Sequence, residues 1–312
     1  MTDTPSPDHD SAAAAFQRRV HTITWRRSPH GWLLGLAVEA GEPGLVRTRV
    51  PYHPVFVGDP ATGVIHGGVV TTMLDESCGA AVQLALAETA AIATLDLRID
   101  YMRPATPGLD IQARAECYRV TKSIAFVRAI AFQGEESTLV ASAAATFMIG
   151  ANRTDMMNGR DPKSLYDALP PLETPGAAGA CYGESPYTRF LGIAETAEGM
   201  VMPWDKKLTG NPMLPAIHGG VIGAFLETTA IVGVGRTIDG GAQPRPIGLT
   251  INYLRSGRPL TTYGAVNVVK QGRRVVAFEA RAWQNDPASP IATAFGHFLL
   301  KADGASKADT GA

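Results

Sequence analysis

The chain writes one module twice. His66-Gly67-Gly68-Val69-Val70 recurs as His218-Gly219-Gly220-Val221-Ile222, and an acid follows each histidine nine residues later, Asp75 and Glu227. The correspondence runs beyond the motif at a spacing of about 152 residues: Pro51-Tyr52 with Pro203-Trp204, Gly58-Asp59 with Gly210-Asn211, residues 97–103 with 249–255, and Phe126 with Phe278. Near the end of each half the register slips by one, Ala143 and Phe147 facing Ala294 and Phe298. Such a repeat restricts the fold to one supersecondary unit packed against its copy. It also leaves two half-sites on one chain free to differ.

At 312 residues, 45% of them apolar, the chain is long enough for two domains with real cores. A net charge of −1 offers no basic surface to nucleic acid. The opening Met1-Thr2-Asp3-Thr4-Pro5-Ser6-Pro7-Asp8 lacks the basic and apolar regions of a secretory signal. No apolar run reaches the roughly 18–20 residues of a membrane span. Residues 69–86 are interrupted by Asp75, Glu76 and Gln83, and 221–234 by Glu227 and Gly233, so no membrane partner is expected. Cys78, Cys117 and Cys181 are odd in number and irregularly spaced, which fits reduced thiols and a cytoplasmic location. With no His-Glu-x-x-His and no Cys-x-x-Cys, neither a metal nor another cofactor is expected.

Residues 1–15 and 302–312 read as disordered tails, 16–150 and 185–301 as the two domains, and 151–184 as a Pro- and Gly-rich linker with a helical turn at 163–169. Each half opens with a short helix (29–34, 186–191) and a first strand near 35–39 or 192–196. The strongest helical signal follows the His-Gly-Gly turn. Val69, Val70, Met73, Leu74, Ser77, Cys78, Ala81, Val82 and Leu86 recur at helical spacing, as do Val221, Ile222, Phe225, Leu226, Thr229 and Val232. A helix this apolar on most sides is expected to be wrapped by other elements. Alternation then marks strands at Leu95, Leu97, Ile99, Tyr101 and at Val268, Val275, Phe278, Ala280. The fold class is α+β, two units in tandem, each an antiparallel sheet curled round a long central helix.

Two glycines at a strand-to-helix turn either permit tight packing or let a ligand approach unpaired helix N–H groups, an oxyanion site. Repetition with a preceding histidine and a spaced acid favours the ligand. Nine helical residues span about 13–14 Å. Asp75 therefore cannot serve the start of its own helix, but it can serve a second helix packed antiparallel beside it. Glu76, whose copy is Thr228, reads as a surface residue. His66 and His218 read as caps of the turn, and Cys78 as core.

His66-Gly67-Gly68-Val69-Val70-x-x-x-Leu74-Asp75, followed by Asp96-Leu97-x-Ile99-x-Tyr101-x-Arg103-Pro104-Ala105 and the Pro107-Gly108 turn, resembles the PaaI-type (phenylacetate-pathway) acyl-CoA thioesterases of the hotdog superfamily. Both halves fit, so the chain resembles a tandem hotdog over about 25–150 and 185–301. The resemblance implies thioester hydrolysis of an acyl-CoA at an interface between paired hotdogs. There, helix N–H groups of one unit polarise the carbonyl and an Asp or Glu of the other acts as base or nucleophile. Carried over by position, one composite site takes Asn211, His218 and Gly219 from the second half with Asp75 and Thr94 from the first. The opposite site takes Asp59, His66, Gly67 and Glu227, with Pro246 where Thr94 stands. Two acids there, Asp59 and Glu227, would crowd one carbonyl. One competent site per chain, built on Asp75, is the expectation. Asn211 and Asp59 lie seven residues before their histidines, where the family's Asn usually lies six before.

Gly68 and Gly220 are further substrate-binding candidates. Arg103 and Arg255, with Lys122, Arg273 and Arg274, are candidates for CoA phosphates. Met73, Val82, Phe225 and Leu226 are candidates for an acyl tunnel. Two other readings are weighed: a non-catalytic acyl-CoA-binding hotdog, and a hotdog enoyl-CoA hydratase. The hydratase needs an Asp five residues before the histidine, where Ala61 and Met213 stand. Gly233-Val234-Gly235 lacks the third glycine and the preceding strand of a dinucleotide loop. A homo-oligomer, a dimer of double hotdogs or larger, is expected.

Overall fold

The computed structural model describes residues 28–150, 181–211, 215–238 and 244–300, together with Ala14, Phe16, Gln17, Val20, Tyr166, Leu169 and residues 171–173. Most of the expected tails and linker, including residues 163–165, lie outside the described residues.

The first half runs α1 (Pro29–Leu33), β1 (Ala37–Glu42), β2 (Leu45–Val50), a 3-10 turn (Pro54–Phe56), β3 (Val57–Asp59), β4 (Val64–Ile65), α2 (Gly67–Ala85), β5 (Ile92–Tyr101), β6 (Ile111–Val120), β7 (Ile124–Phe132) and β8 (Leu139–Ile149). The second repeats the order. It comprises a 3-10 turn (Tyr182–Glu184), α3 (Pro186–Leu191), β9 (Ala194–Thr196), β10 (Gly199–Met202), a 3-10 turn (Lys206–Leu208), β11 (Thr209–Asn211), β12 (Ala216–Ile217), α4 (Gly219–Gly235), β13 (Arg245–Tyr253), β14 (Thr262–Gln271), β15 (Val275–Trp283) and β16 (Ala292–Leu299). Serine caps start both short helices: the side chains of Ser28 and Ser185 accept from the N–H groups of Gly31 and Thr188, each ahead of a proline that needs no such bond. Gly35 (φ 67°) and Gly192 (φ 74°) take the left-handed conformation that turns the chain out of them.

Twelve strands form one antiparallel sheet in the order β1-β2-β6-β7-β8-β5-β13-β16-β15-β14-β10-β9. At its centre β5 pairs with β13, and Arg98 faces Thr250, its own repeat equivalent. A local two-fold axis therefore passes between these two residues. The same axis sets α2 and α4 side by side and antiparallel, so that each helix start lies beside the middle of the other. No residue of either long helix is exposed, because sheet covers one side and the partner helix the other. Burying these helices on nearly all sides is what their all-round apolar sequences allow.

Leu97, Ile99, Leu249 and Ile251 point inward as their alternation requires. In β15 the inward set is Val276, Phe278, Ala280 and Ala282, while Val275 is exposed. The expected grouping of Val275 with Phe278 fails because strand faces alternate every second residue. Met73, Val82, Phe225 and Leu226, the tunnel candidates, are wholly enclosed in the hydrophobic core.

The halves also exchange their short helices. α1 packs on β11 and the 206–208 turn, and α3 packs on β3 and the 54–56 turn. His30 in α1 illustrates the contact, donating from Nδ1 to the Lys207 carbonyl (2.9 Å) and accepting at Nε2 from the Tyr187 hydroxyl (3.1 Å). Burial holds its pKa down to about 3, so it stays neutral.

Candidate active site

Each long helix begins with a histidine whose Nδ1 accepts the N–H of the second glycine: His66 from Gly68 at 2.8 Å and His218 from Gly220 at 2.9 Å. These are the caps expected of the two histidines. The same glycines lie where the helices touch. A Cβ on Gly68 would strike that of Ala224, and one on Gly220 would strike the backbone of Thr72. Gly68 and Gly220, expected as substrate contacts, serve the helix contact: a cap takes up each amide and helix packing takes up each Cα.

The first glycines face the acids. Gly67 lies against the Glu227 carboxylate, and a Cβ on Gly219 would come within 2.7 Å of Asp75 Oδ2. The N–H of a helix's first residue has no intrahelical acceptor and sits at the positive end of the dipole. Each half thus supplies a helix start and receives the other half's acid.

Around Asp75, the Thr94 hydroxyl at the head of β5 donates to Oδ1 at 2.9 Å. Oδ2 lies 3.6 Å from His218 Nδ1, and the Gly220 amide reaches both acceptors. The Tyr253 hydroxyl donates to the Gly219 carbonyl at 2.9 Å, fixing the first peptide of α4. Burial pushes the Asp75 carboxyl above its usual value, against the pull of His218 and Thr94. A carboxylate raised this way is a better base.

Around Glu227 the surroundings differ. The Tyr101 hydroxyl donates to Oε2 at 2.6 Å and the Tyr182 hydroxyl to Oε1 at 3.2 Å. The Gly67 amide in turn reaches the Tyr182 oxygen. Tyr182 comes from the stretch expected to be linker, and its ring lies tilted against that of His66 with centroids 4.4 Å apart. Glu227 is 0% exposed where Asp75 keeps 6%, so access to the two acids differs. Burial pushes Glu227 up to about 7, with both tyrosines pulling against it.

The residue after each acid turns to the opposite histidine. His66 Nε2 lies 3.2 Å from Thr228 Oγ1, and His218 Nε2 lies 3.3 Å from Glu76 Oε2. The surface role expected of Glu76 is thus overturned. Its side chain is 14% exposed, and its oxygens also accept from Ser28 N (2.9 Å) and Oγ (2.7 Å). On a helix covered all round, no position was free to be a surface. Cys78 is buried and its thiol pKa is pushed up, as a core residue's would be.

Asp59 does not join Glu227. Its carboxylate closes its own turn, accepting from Ala61 N at 3.1 Å and Thr62 Oγ1 at 2.6 Å, so the expected clash of two acids is absent. Asn211 ends β11 opposite Ala216, and its side chain lies outside the described residues. Pro246 lies in β13 at Thr94's equivalent position and offers no hydroxyl. Arg103 and Arg255 are exposed and donate to carbonyls of the corresponding loops, Thr138 (3.3 Å) and Pro290 (2.6 Å), one register position apart. Ser28, Glu76, Tyr101, Tyr182 and Tyr253 were not assigned to a site from sequence. The repeated Tyr101/Tyr253 pair was the available signal.

The family model of the thioesterase superfamily matches the chain twice, over residues 62–140 and 214–291, together half its length. A Halobacterium salinarum protein named as an esterase is 38% identical over 122 residues, covering 38% of this chain and 75% of that one. The medium/long-chain acyl-CoA thioesterase YigI of Escherichia coli is 30% identical over 135 residues, covering 39% of this chain and 86% of YigI. A crystal structure assigned as a thioesterase from Novosphingobium aromaticivorans aligns over 84% of this chain and 100% of its own, with a TM-score of 0.58 at 14% identity, a likeness of fold.

Proposed function

The chain belongs to the thioesterase superfamily, and on that premise we propose that it hydrolyses acyl-CoA thioesters to free acid and CoA at one site, where Asp75 meets the start of α4. The observation that carries the reading is the difference between the two acids. Asp75 keeps some exposure, is oriented by Thr94 and faces Gly219, whereas Glu227 is closed off by Tyr101 and Tyr182.

In this reading the thioester oxygen lies against the Gly219 N–H, where the helix dipole favours the developing negative charge. Asp75 either takes a proton from water, which attacks the carbonyl carbon, or attacks that carbon itself to give an anhydride that water then opens. Either way a C–O bond forms, the C–S bond breaks, and the CoA sulfur leaves as thiolate and is protonated. Thr94 holds the carboxylate's other oxygen. The Tyr253 bond to the Gly219 carbonyl anchors the first residue of α4 beside Asp75. Arg255, exposed two residues beyond Tyr253, is the cation assigned to CoA phosphate. Following YigI, a medium or long acyl chain is the class to try first.

The test is thiol release from a panel running from acetyl- to palmitoyl-CoA with phenylacetyl- and benzoyl-CoA, using wild type and Asp75→Asn. Turnover by wild type that disappears in the variant is expected. Binding of CoA esters without turnover of any member would replace hydrolysis with a binding role.

A further inference from the structure

The two cap histidines are chemically alike but sit in different electrostatic surroundings. Among the described residues His66 meets neutral groups: Thr228 Oγ1 at 3.2 Å and the rings of Tyr182 and Tyr187. Burial holds its pKa down to about 3. His218 lies between two carboxylates of α2, with Asp75 Oδ2 3.6 Å from Nδ1 and Glu76 Oε2 3.3 Å from Nε2. From α1 the neutral His30 ring faces it at 6.2 Å, with Lys207 of the 206–208 turn beyond. Because Nδ1 accepts the Gly220 amide, the proton of the neutral imidazole must sit on Nε2, 3.3 Å from Glu76 Oε2. Glu76 is held for this by both polar groups of Ser28, itself the cap of α1.

We infer that Glu76 is a positioning residue of the Asp75 site, fixing the Nε2–H tautomer of His218 so that the capped start of α4 holds the Gly219 amide against Asp75. The inference rests on the thioesterase reading for its place in catalysis, while the geometry of the His218–Glu76 pair is independent of it. Glu76 also acts through its charge. A carboxylate on one side of the imidazole favours protonation of His218, and as a like charge on the neighbouring residue it opposes ionisation of Asp75. Protonation of Nδ1 would break the Gly220 cap and turn the imidazole into a counter-ion for Asp75, so the working state is the one with His218 neutral and Asp75 ionised. Activity should therefore fall on the acid side as these groups take up protons. With Glu76 in place, that fall comes at a higher pH than it would without the charge.

Glu76→Thr installs the residue that the other half uses at the equivalent position, keeping an oxygen for Nε2–H and removing the charge; Glu76→Gln removes the charge at nearly constant volume. The first readout is the pH dependence of kcat/KM for the best acyl-CoA. The second is the titration of the His218 imidazole by ¹⁵N-detected nuclear magnetic resonance, assigned by its loss in His218→Asn. Both variants are expected to move the acid limb and the His218 titration to lower pH by about one unit. A role confined to packing would lower the melting temperature and leave both pH values in place, which would overturn the inference. Should one variant not fold, the other carries the comparison. If wild type hydrolyses no thioester, the hydrolase reading fails by itself, and the imidazole titration still decides whether Glu76 sets the state of His218.

Discussion

Replacing Glu227 by glutamine isolates the acid that the second half-site encloses. Its carboxyl is pushed from 4.5 up to about 7, chiefly because burial disfavours the ionised form. Between those two pH values the unfolded chain has released a proton that the folded chain still holds. Stability contributed by this group is therefore fully present below pH 4.5 and is lost as pH rises through 7. Each pH unit of separation is worth about 1.4 kcal/mol, so the loss comes to about 3 kcal/mol, a sizeable part of a typical folding free energy. Glu227→Gln does not titrate, and the Tyr101 and Tyr182 hydroxyls can turn to pair with its amide. Urea unfolding of wild type and variant at pH 5, 6.5 and 8 should show the variant gaining about 2–3 kcal/mol relative to wild type across that range, since part of the total is already lost at pH 5. A difference that stays constant from pH 5 to pH 8 would refute the reasoning, because Glu227 would then titrate as it does in the unfolded chain.

Tyr182→Phe removes one hydroxyl from the Glu227 carboxylate. It should lower stability by about 1–2 kcal/mol at pH 8, and by less at pH 5 where the acid is protonated, with thiol release unchanged. The two glycines of the second motif should separate in their effects. Gly219→Ala places a methyl against Asp75 and should cost about 10²-fold or more in turnover while the chain still folds. Gly220→Ala drives a methyl into the Thr72 backbone and should lower the melting temperature first, at a cost of about 1–3 kcal/mol. Thermal melts paired with thiol-release rates separate the two.

The parts of this molecule that were legible in its sequence are those written in periodicity and repetition. The helical spacing of apolar residues over 69–82, apolar on most sides, led directly to a wrapped helix. The nine-residue offset of Asp75 from His66 required the acid to serve another helix, and the β5–β13 pairing about a local two-fold supplies that helix. What stayed hidden depends on contacts across that two-fold, which local patterns do not encode. Glu76 looked like a surface residue because its copy is a threonine, yet both residues perform the same task on the opposite histidine, one with a charge and one with a hydroxyl. Tyr182 sits in a stretch whose composition reads as linker, and only its position against Glu227 gives it a role. Asp59 matched the position of an amide in the other half, but a local turn claims its carboxylate first.

The central claim is that one chain carries a single working acid, Asp75, although its repeat supplies two. The most direct measurement is thiol release from the best acyl-CoA by Asp75→Asn and Glu227→Gln, run side by side at pH 7.5 with folding of both verified. Loss of turnover in Asp75→Asn, with Glu227→Gln within about twofold of wild type, less than 0.5 kcal/mol of transition-state free energy, is the result expected. Equal losses from both substitutions would contradict it and make the chain a two-site enzyme.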